Sequence, residues 1–157
     1  MIKDYLCYGP DATHQAGRLL GEVVNSGSVI GLIGDLGAGK TLLVQGMALG
    51  LQVPESVRVT SPTFALVNEY RGGRLAMVHV DLYRLESASE LEHLGLEELL
   101  EHEGVSAVEW CERFPVLPDD HLLVTIDIVS DDCRRLHAQG QGPQSVALAL
   151  KWAERLA

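Results

Sequence analysis

The stretch from Gly34 to Thr41 constrains this chain more than any other part of the sequence. It reads Gly-Asp-Leu-Gly-Ala-Gly-Lys-Thr and fits G-x-x-x-x-G-K-[ST], the phosphate-binding P-loop. A chance match is rare, below about one per cent for a chain of this length. The flanks agree with the motif, because Val29 to Ile33 reads as a buried strand and apolar residues at helical spacing follow the loop. The motif therefore predicts a strand, a loop and a helix that together bind phosphate groups.

The residue types of the loop specify its chemistry. Glycines permit backbone angles that turn N–H groups inward, so that they cradle phosphate oxygens at the start of a helix. Lys40 is predicted to reach the β- and γ-phosphates, and the Thr41 hydroxyl to bind Mg²⁺. The residues predicted to contact the nucleotide in this stretch are Asp35, Leu36, Gly37, Ala38, Gly39, Lys40, Thr41 and Leu42.

Composition narrows the class of protein. The 157 residues, of which 46% are hydrophobic, predict one α/β domain over 1–157 with a substantial core. The net charge is −10, and no Lys/Arg cluster is present, so direct tight binding to nucleic acid is not expected. No apolar run is long enough for a membrane span, and the N-terminus lacks the layout of a signal peptide. We therefore expect a cytoplasmic protein without a membrane partner, whose three cysteines are buried or bystander thiols.

The spacing of apolar residues, together with helix-breaking glycines and prolines, predicts four helical regions. Asp11 is the predicted N-cap of a first helix that ends at Gly27, and the helix after the P-loop is predicted to stop near Gly50. A capping-box pattern at Ser87 to Glu90 opens a third helical region, which Gly95 splits in two. Pro143 begins the last helix.

Several segments read as strands. Phe64 to Tyr70 and Leu75 to Asp81 are predicted to form a β-hairpin around a glycine-containing turn. Val105 to Trp110 reads as a further strand, and Cys133 to Ala138 is a candidate partner for the strand at Leu122 to Ile128. Residues 57–63 begin as a short strand and become a hydroxyl-rich loop, which is either an ordinary turn or a sensor of the γ-phosphate.

Two acidic residues stand at predicted strand ends, Asp81 and Glu109. Ligands of open α/β sheets bind at the carboxyl ends of the strands, so both acids are predicted to lie beside the P-loop and to act on Mg²⁺. Each acid taken alone could equally be an exposed strand-end carboxylate. Glu109 is the one expected nearer the metal, because Val105 to Val108 is apolar except for Ser106, as in a central strand. Trp110, at the same rim, either stacks on the nucleotide or fills a gap in the core.

These features leave three functional classes. An ATPase that drives a partner complex is favoured, with a kinase of a small metabolite as the alternative and a nucleotide-binding module without turnover as the third. A guanine-reading Asn-Lys-x-Asp motif is absent from the sequence, which disfavours a GTPase. The segment from Glu86 to Glu103 carries seven glutamates, whereas a kinase needs a basic lid, so this segment fits a kinase poorly.

Four motifs together resemble the TsaE (YjeE) family of bacterial ATPases: Gly34 to Thr41, Ser61-Pro62-Thr63-Phe64, His79-Val80-Asp81-Leu82-Tyr83-Arg84 and Val108-Glu109-Trp110. The resemblance implies a single-domain P-loop NTPase fold with a mixed, partly antiparallel sheet flanked by helices. It also implies slow ATP hydrolysis that supports the TsaB–TsaD complex, which modifies the adenosine beside the tRNA anticodon with a threonylcarbamoyl group.

The resemblance also assigns roles by position. Lys40 corresponds to the phosphate-binding lysine, Thr41 to the Mg²⁺ ligand, and Asp81 and Glu109 to the paired acids near the metal. Thr13, ahead of the first helix, and Trp110 correspond to residues beside the nucleotide. The chain departs from the family where Leu42 replaces a second threonine and where Cys133 replaces a glycine before Arg134.

Overall fold

A mixed seven-stranded sheet organises residues 2–56, 59 and 67–157, which are the residues that the computed structural model describes. The strands are β1 (Ile2–Tyr8), β2 (Val29–Ile33), β3 (Val67–Tyr70), β4 (Met77–Asp81), β5 (Val105–Glu109), β6 (His121–Ser130) and β7 (Cys133–Gln141). Their order across the sheet is β1-β7-β6-β2-β5-β4-β3. The neighbours β6, β2, β5 and β4 run parallel, while β1, β7 and β3 pair antiparallel. The predicted mixed α/β sheet is thereby confirmed.

Helices cover the two faces of the sheet unequally. One core cluster unites α1, α2 and α5 with both halves of the sheet. A second cluster packs α3, α4 and the segment after β5 against the other face of β2, β5 and β4. Within the described residues, no helix has the length and apolar character that crossing a bilayer requires. The helices are α1 (Pro10–Val23), α2 (Lys40–Gly50), α3 (Ala88–Leu94), α4 (Leu96–Leu100) and α5 (Pro143–Leu156).

The local predictions are largely confirmed, with four differences. The strand β1 was not expected at all. The N-cap of α1 is Gly9 and not Asp11, because Pro10 occupies the first helical position and places Asp11 inside the first turn; the helix ends at Val23, before Gly27. Ser87 is the N-cap of α3 but its side chain makes no capping hydrogen bond. Of the predicted segment at 57–63, all but residue 59 lies outside the described residues, as does the start of the first hairpin strand.

The three thiols are buried and form no disulfide, as the sequence predicts. Burial is the largest cause that raises the pKa of Cys111, to about 12, and burial also raises the pKa of Cys7. Both thiols therefore stay protonated at neutral pH, which makes them unreactive.

Glycines allow α1 and α2 to pack backbone against backbone. A Cβ on Gly17 of α1 would lie 2.1 Å from the carbonyl oxygen of Leu43, and a Cβ on Gly46 of α2 would lie 2.1 Å from that of His14. Gly21 and Gly50 repeat this pattern one turn further on. Because α2 begins at the P-loop, this contact also fixes the position of the loop.

Replacing Gly17 by Ala should therefore destabilise the fold. The methyl group would meet the Leu43 carbonyl, and the overpacking cost exceeds the gain in helix propensity, for a net loss of about 2 kcal/mol. Gln15→Ala, at an exposed position of the same helix, is the matched control and should stay within about 0.5 kcal/mol of the parent. Urea unfolding of the three proteins measures the difference. A Gly17→Ala protein as stable as the parent would contradict the close packing of the two helices.

Candidate nucleotide-binding site

The P-loop has a backbone shaped for an anion. Gly37 and Gly39 adopt φ angles of 81° and 114°, in the region that side chains rarely enter. Helix α2 begins directly after the loop at Lys40. Among the described residues, no acceptor bonds the backbone N–H groups of Gly37, Gly39, Lys40 or Thr41. These N–H groups and the positive end of the helix dipole form a cradle for phosphate oxygens.

Lys40 is folded into this site and is only 5% exposed. Its ammonium group donates hydrogen bonds to the carbonyl of Gly34 and, at 3.1 Å, to that of Asp35. It also lies 4.1 Å from the ring centroid of Trp110, a cation–π distance. Burial lowers the pKa of Lys40, and the carboxylate of Glu109 acts in the opposite direction. The one cation of the loop is thus largely desolvated, which strengthens its attraction for a phosphate.

The two predicted acids meet at the carboxyl end of the sheet. Strands β4 and β5 are parallel, and their register places Asp81 directly beside Glu109. Both side chains are nearly inaccessible, with 2% and 3% exposed. The Glu109 Oε2 atom accepts a hydrogen bond from Thr41 Oγ1 at 3.3 Å, whereas Asp81 Oδ1 accepts one from the backbone N–H of Tyr83 at 2.8 Å. Glu109 is thus hydrogen-bonded to the predicted magnesium ligand of the loop.

The predicted residues converge on one pocket of about 350 Å³. Most of them line it, together with Tyr83 and Arg84. Thr13 lies within the first turn of α1 and not ahead of the helix as expected, because α1 already begins at Pro10. It is buried beneath the loop, where its methyl carbon would be 3.5 Å from a Cβ on Gly39. The side chains of Asp35, Ala38 and Leu42 do not line the pocket. The predicted residues that do are Leu36, Gly37, Gly39, Lys40, Thr41, Asp81, Glu109 and Trp110.

Sequence reasoning missed several residues of the site. Tyr83 and Arg84 line the pocket as well. Their position just after β4, which ends in an acid, could have indicated that they lie at the same edge of the sheet. The ring of Tyr83 packs on Trp110 with centroids 4.9 Å apart. Trp110 itself has a φ of 60°, which is unusual for a bulky residue and marks a constrained turn beside the site. His79, expected to be structural, hydrogen-bonds Glu109.

Arg134 reaches the P-loop from the antiparallel half of the sheet. Its Nε atom donates to the carbonyl oxygen of Ala38 at 3.0 Å. A trans peptide points its C=O and N–H groups in opposite directions, so this bond orients the N–H of Gly39 away from Arg134. The hydrogen bond from Arg134 to Ala38 therefore holds the N–H group of Gly39, one donor of the phosphate cradle, in place.

The oxygen ligands at this site fit Mg²⁺. The Thr41 hydroxyl and the carboxylates of Glu109 and Asp81 are hard donors, and Mg²⁺ is commonly held by one or two carboxylates together with substrate phosphates. The described part of the chain contains no group of three or more His, Cys, Asp and Glu side chains placed to hold a metal.

A family model described as "Threonylcarbamoyl adenosine biosynthesis protein TsaE" matches residues 8–136. The chain belongs to the TsaE family. It is similar to the "tRNA threonylcarbamoyladenosine biosynthesis protein TsaE" of Nostoc sp., with 45% identity over 80% of this chain and 78% of the relative. The protein of the same name from Bacillus subtilis is 39% identical over 81% of this chain and 78% of its own length. The protein of the same name from Aquifex aeolicus is 34% identical over 87% of this chain and 95% of its own length.

A solved structure agrees with the family assignment. The crystal structure of YdiB from Bacillus subtilis superposes with a TM-score of 0.85 at 29% identity, over 99% of this chain and 96% of that one. The chain is therefore a P-loop NTPase-type protein of the tRNA threonylcarbamoyladenosine biosynthesis family, and the resemblance found in the sequence is confirmed. The roles of individual site residues stay predictions.

The contact of Arg134 with Ala38 predicts an effect on nucleotide affinity. Removing it in Arg134→Ala should loosen the cradle and weaken binding of a fluorescent ATP analogue roughly tenfold, the value of one charge-assisted hydrogen bond. Arg135→Ala removes the same charge from the next residue, which is exposed, and is expected to bind like the parent. Equal affinities for the two variants would show that the bond does not organise the loop.

Proposed function

We propose that this chain is a Mg²⁺-dependent ATPase that supports the TsaB–TsaD complex in the threonylcarbamoyl modification of tRNA. One observation carries the proposal. The Thr41 hydroxyl lies within hydrogen-bond distance of the Glu109 carboxylate, in the pocket that also holds Lys40. A phosphate-binding loop alone binds nucleotide, whereas a hydroxyl and an acid beside it provide the ligands for a catalytic metal.

Each residue has a defined part in this proposal. The loop N–H groups and Lys40 bind the phosphates, and Trp110 lies beside the nucleotide. Thr41 and Glu109 hold Mg²⁺, while Asp81 on the adjacent strand acts through water or a partner. Bound Mg²⁺ would neutralise charge on the β- and γ-phosphates. Glu109, buried and fixed by hydrogen bonds, would also orient the attacking water.

The partners follow from the family's role in tRNA modification. TsaB and TsaD would carry out the transfer to adenosine, and this chain would contribute ATP binding and hydrolysis. The net charge of −10 favours contact with tRNA through those partners and not by tight direct binding. We place this action in the cytoplasm, where a tRNA-modifying complex meets its substrate.

The central test is phosphate release with and without purified TsaB and TsaD. The parent should release phosphate from ATP slowly alone and faster with the partners, and only with Mg²⁺. Lys40→Ala should lose this activity while keeping its fold, because it removes charge-assisted bonds to the phosphates. A Lys40→Ala protein with parental turnover would contradict the role of the loop. Transfer of phosphate to a metabolite, with no response to the partners, would support a kinase instead.

The two acids should differ in their importance. Glu109→Gln keeps the size of the side chain but removes the charge that binds Mg²⁺ beside Thr41, and phosphate release should fall about 10²-fold or more. Asp81→Asn, the matched neutral change on the neighbouring strand, should reduce turnover less. Both variants should still bind ATP through the cradle and Lys40. Full activity in Glu109→Gln together with none in Asp81→Asn would reverse the assignment.

A further inference from the structure

His79 is a buried histidine whose ring contacts the acid of the site. It lies on β4 with no exposed surface, and its Nε2 atom is 2.5 Å from Glu109 Oε2. The side chain of Glu109 is itself only 4% exposed. The pair is thus shielded from water. A hydrogen bond to a carboxylate is stronger in such a buried environment than at the surface.

The register of the sheet brings the two side chains together. His79 pairs with Ala107 of β5, and Asp81, two residues later, pairs with Glu109. All four side chains share the face of the sheet toward α2, because side chains alternate along each strand. The small methyl group of Ala107 leaves room for the imidazole to cross diagonally to the carboxylate. The contact is therefore a consequence of strand pairing and of one small neighbour.

Among residues 2–56, 59 and 67–157, the ring of His79 makes no other polar contact that would explain its burial. Within the described residues, its Nδ1 atom has no hydrogen-bond partner. A buried polar atom without a partner costs about 1–3 kcal/mol, so an apolar side chain would serve packing alone better. Donation from Nε2 to Glu109 requires that Nε2 carries the proton, which leaves Nδ1 as a bare acceptor in the neutral ring.

The carboxylate of Glu109 is consequently held from two sides. Its Oε2 atom accepts from His79 and from the Thr41 hydroxyl, the latter at 3.3 Å. Its Oε1 atom lies 3.5 Å from the same hydroxyl and therefore makes the weaker hydrogen bond. The carboxylate is fixed through one oxygen and offers the other to a ligand. This arrangement matches the outer-shell hydrogen bonds that orient metal-binding carboxylates.

We propose that His79 is a positioning residue, which orients Glu109 for binding Mg²⁺ by donating a hydrogen bond from Nε2. The proposal rests on the function proposed above, since it concerns the metal that would accompany ATP. A structural role would predict that replacing His79 changes the stability of the fold and nothing else. A positioning role predicts that the Mg²⁺ requirement changes when the replacing side chain cannot donate a hydrogen bond to Glu109, and stays the same when it can.

Two amide variants separate these roles. In His79→Gln, the amide nitrogen is the same number of bonds from the backbone as Nε2 and can still donate to Glu109. In His79→Asn, the amide nitrogen takes the place of Nδ1 and falls short of the carboxylate. The two variants have the same polar group and no charge, so they differ chiefly in reach. Thermal unfolding of both reports any general loss of stability.

The readout is the Mg²⁺ concentration that half-saturates binding of a non-hydrolysable ATP analogue. For His79→Asn this concentration should rise about 10- to 100-fold, the usual effect of losing an outer-shell partner. His79→Gln should stay within about threefold of the parent, and affinity without Mg²⁺ should be the same for all three proteins. On a Glu109→Gln background, adding His79→Asn should change nothing further, since the two residues act as one unit.

Parental Mg²⁺ dependence in His79→Asn would overturn the proposal, as would equal losses in His79→Asn and His79→Gln. If His79→Asn does not fold, His79→Leu, which removes the donor and suits an apolar core, takes its place under the same criteria. A parent protein whose nucleotide binding ignores Mg²⁺ would instead refute the proposed function. The two failures are therefore distinguishable in one set of titrations.

Discussion

The parallel pairing of β2, β5 and β4 is the constraint on which the site depends. Its register aligns Leu32 with Glu109 and Glu109 with Asp81, at the level where the P-loop begins. Because side chains alternate along a strand, a slip of one residue would turn Glu109 toward the opposite face, away from Thr41. Backbone hydrogen bonds across the sheet thus determine which carboxylate meets the loop.

The remainder of the fold holds the loop against this edge from two further directions. The glycine-mediated contact of α1 with α2 fixes the helix that begins at Lys40, and α1 also carries Thr13 beneath Gly39. From the antiparallel half of the sheet, Arg134 bonds the Ala38 carbonyl. A mixed sheet therefore has a role at the site, since its parallel part supplies the acids and its antiparallel part supports the backbone of the loop.

The sequence predicted those features that reside in local patterns. The P-loop, the acid-ending strands and the hairpin each have signatures within a few residues, and each was found in place. Strand β1 escaped prediction because it is an edge strand that carries the charged pair Lys3-Asp4 near its start and is stabilised by a partner more than a hundred residues away. The contact of His79 with Glu109 escaped for a similar reason, because it depends on register and on the size of Ala107, neither of which is local to the histidine.

The arrangement of charge at the site explains why a divalent cation suits it. Asp81 and Glu109 are directly paired and almost fully buried, and like charges in such positions repel each other. Lys40 and Arg84 are the cationic side chains that line the same pocket, and the Lys40 ammonium donates hydrogen bonds to the carbonyls of Gly34 and Asp35. A bound Mg²⁺ would add positive charge beside the two paired acids and so reduce the repulsion between them. A ligand that binds only the folded state stabilises that state, and the stabilisation grows with the logarithm of the ratio of ligand concentration to dissociation constant. The repulsion between the two acids, which destabilises the empty site, therefore favours the binding of Mg²⁺ together with a nucleotide.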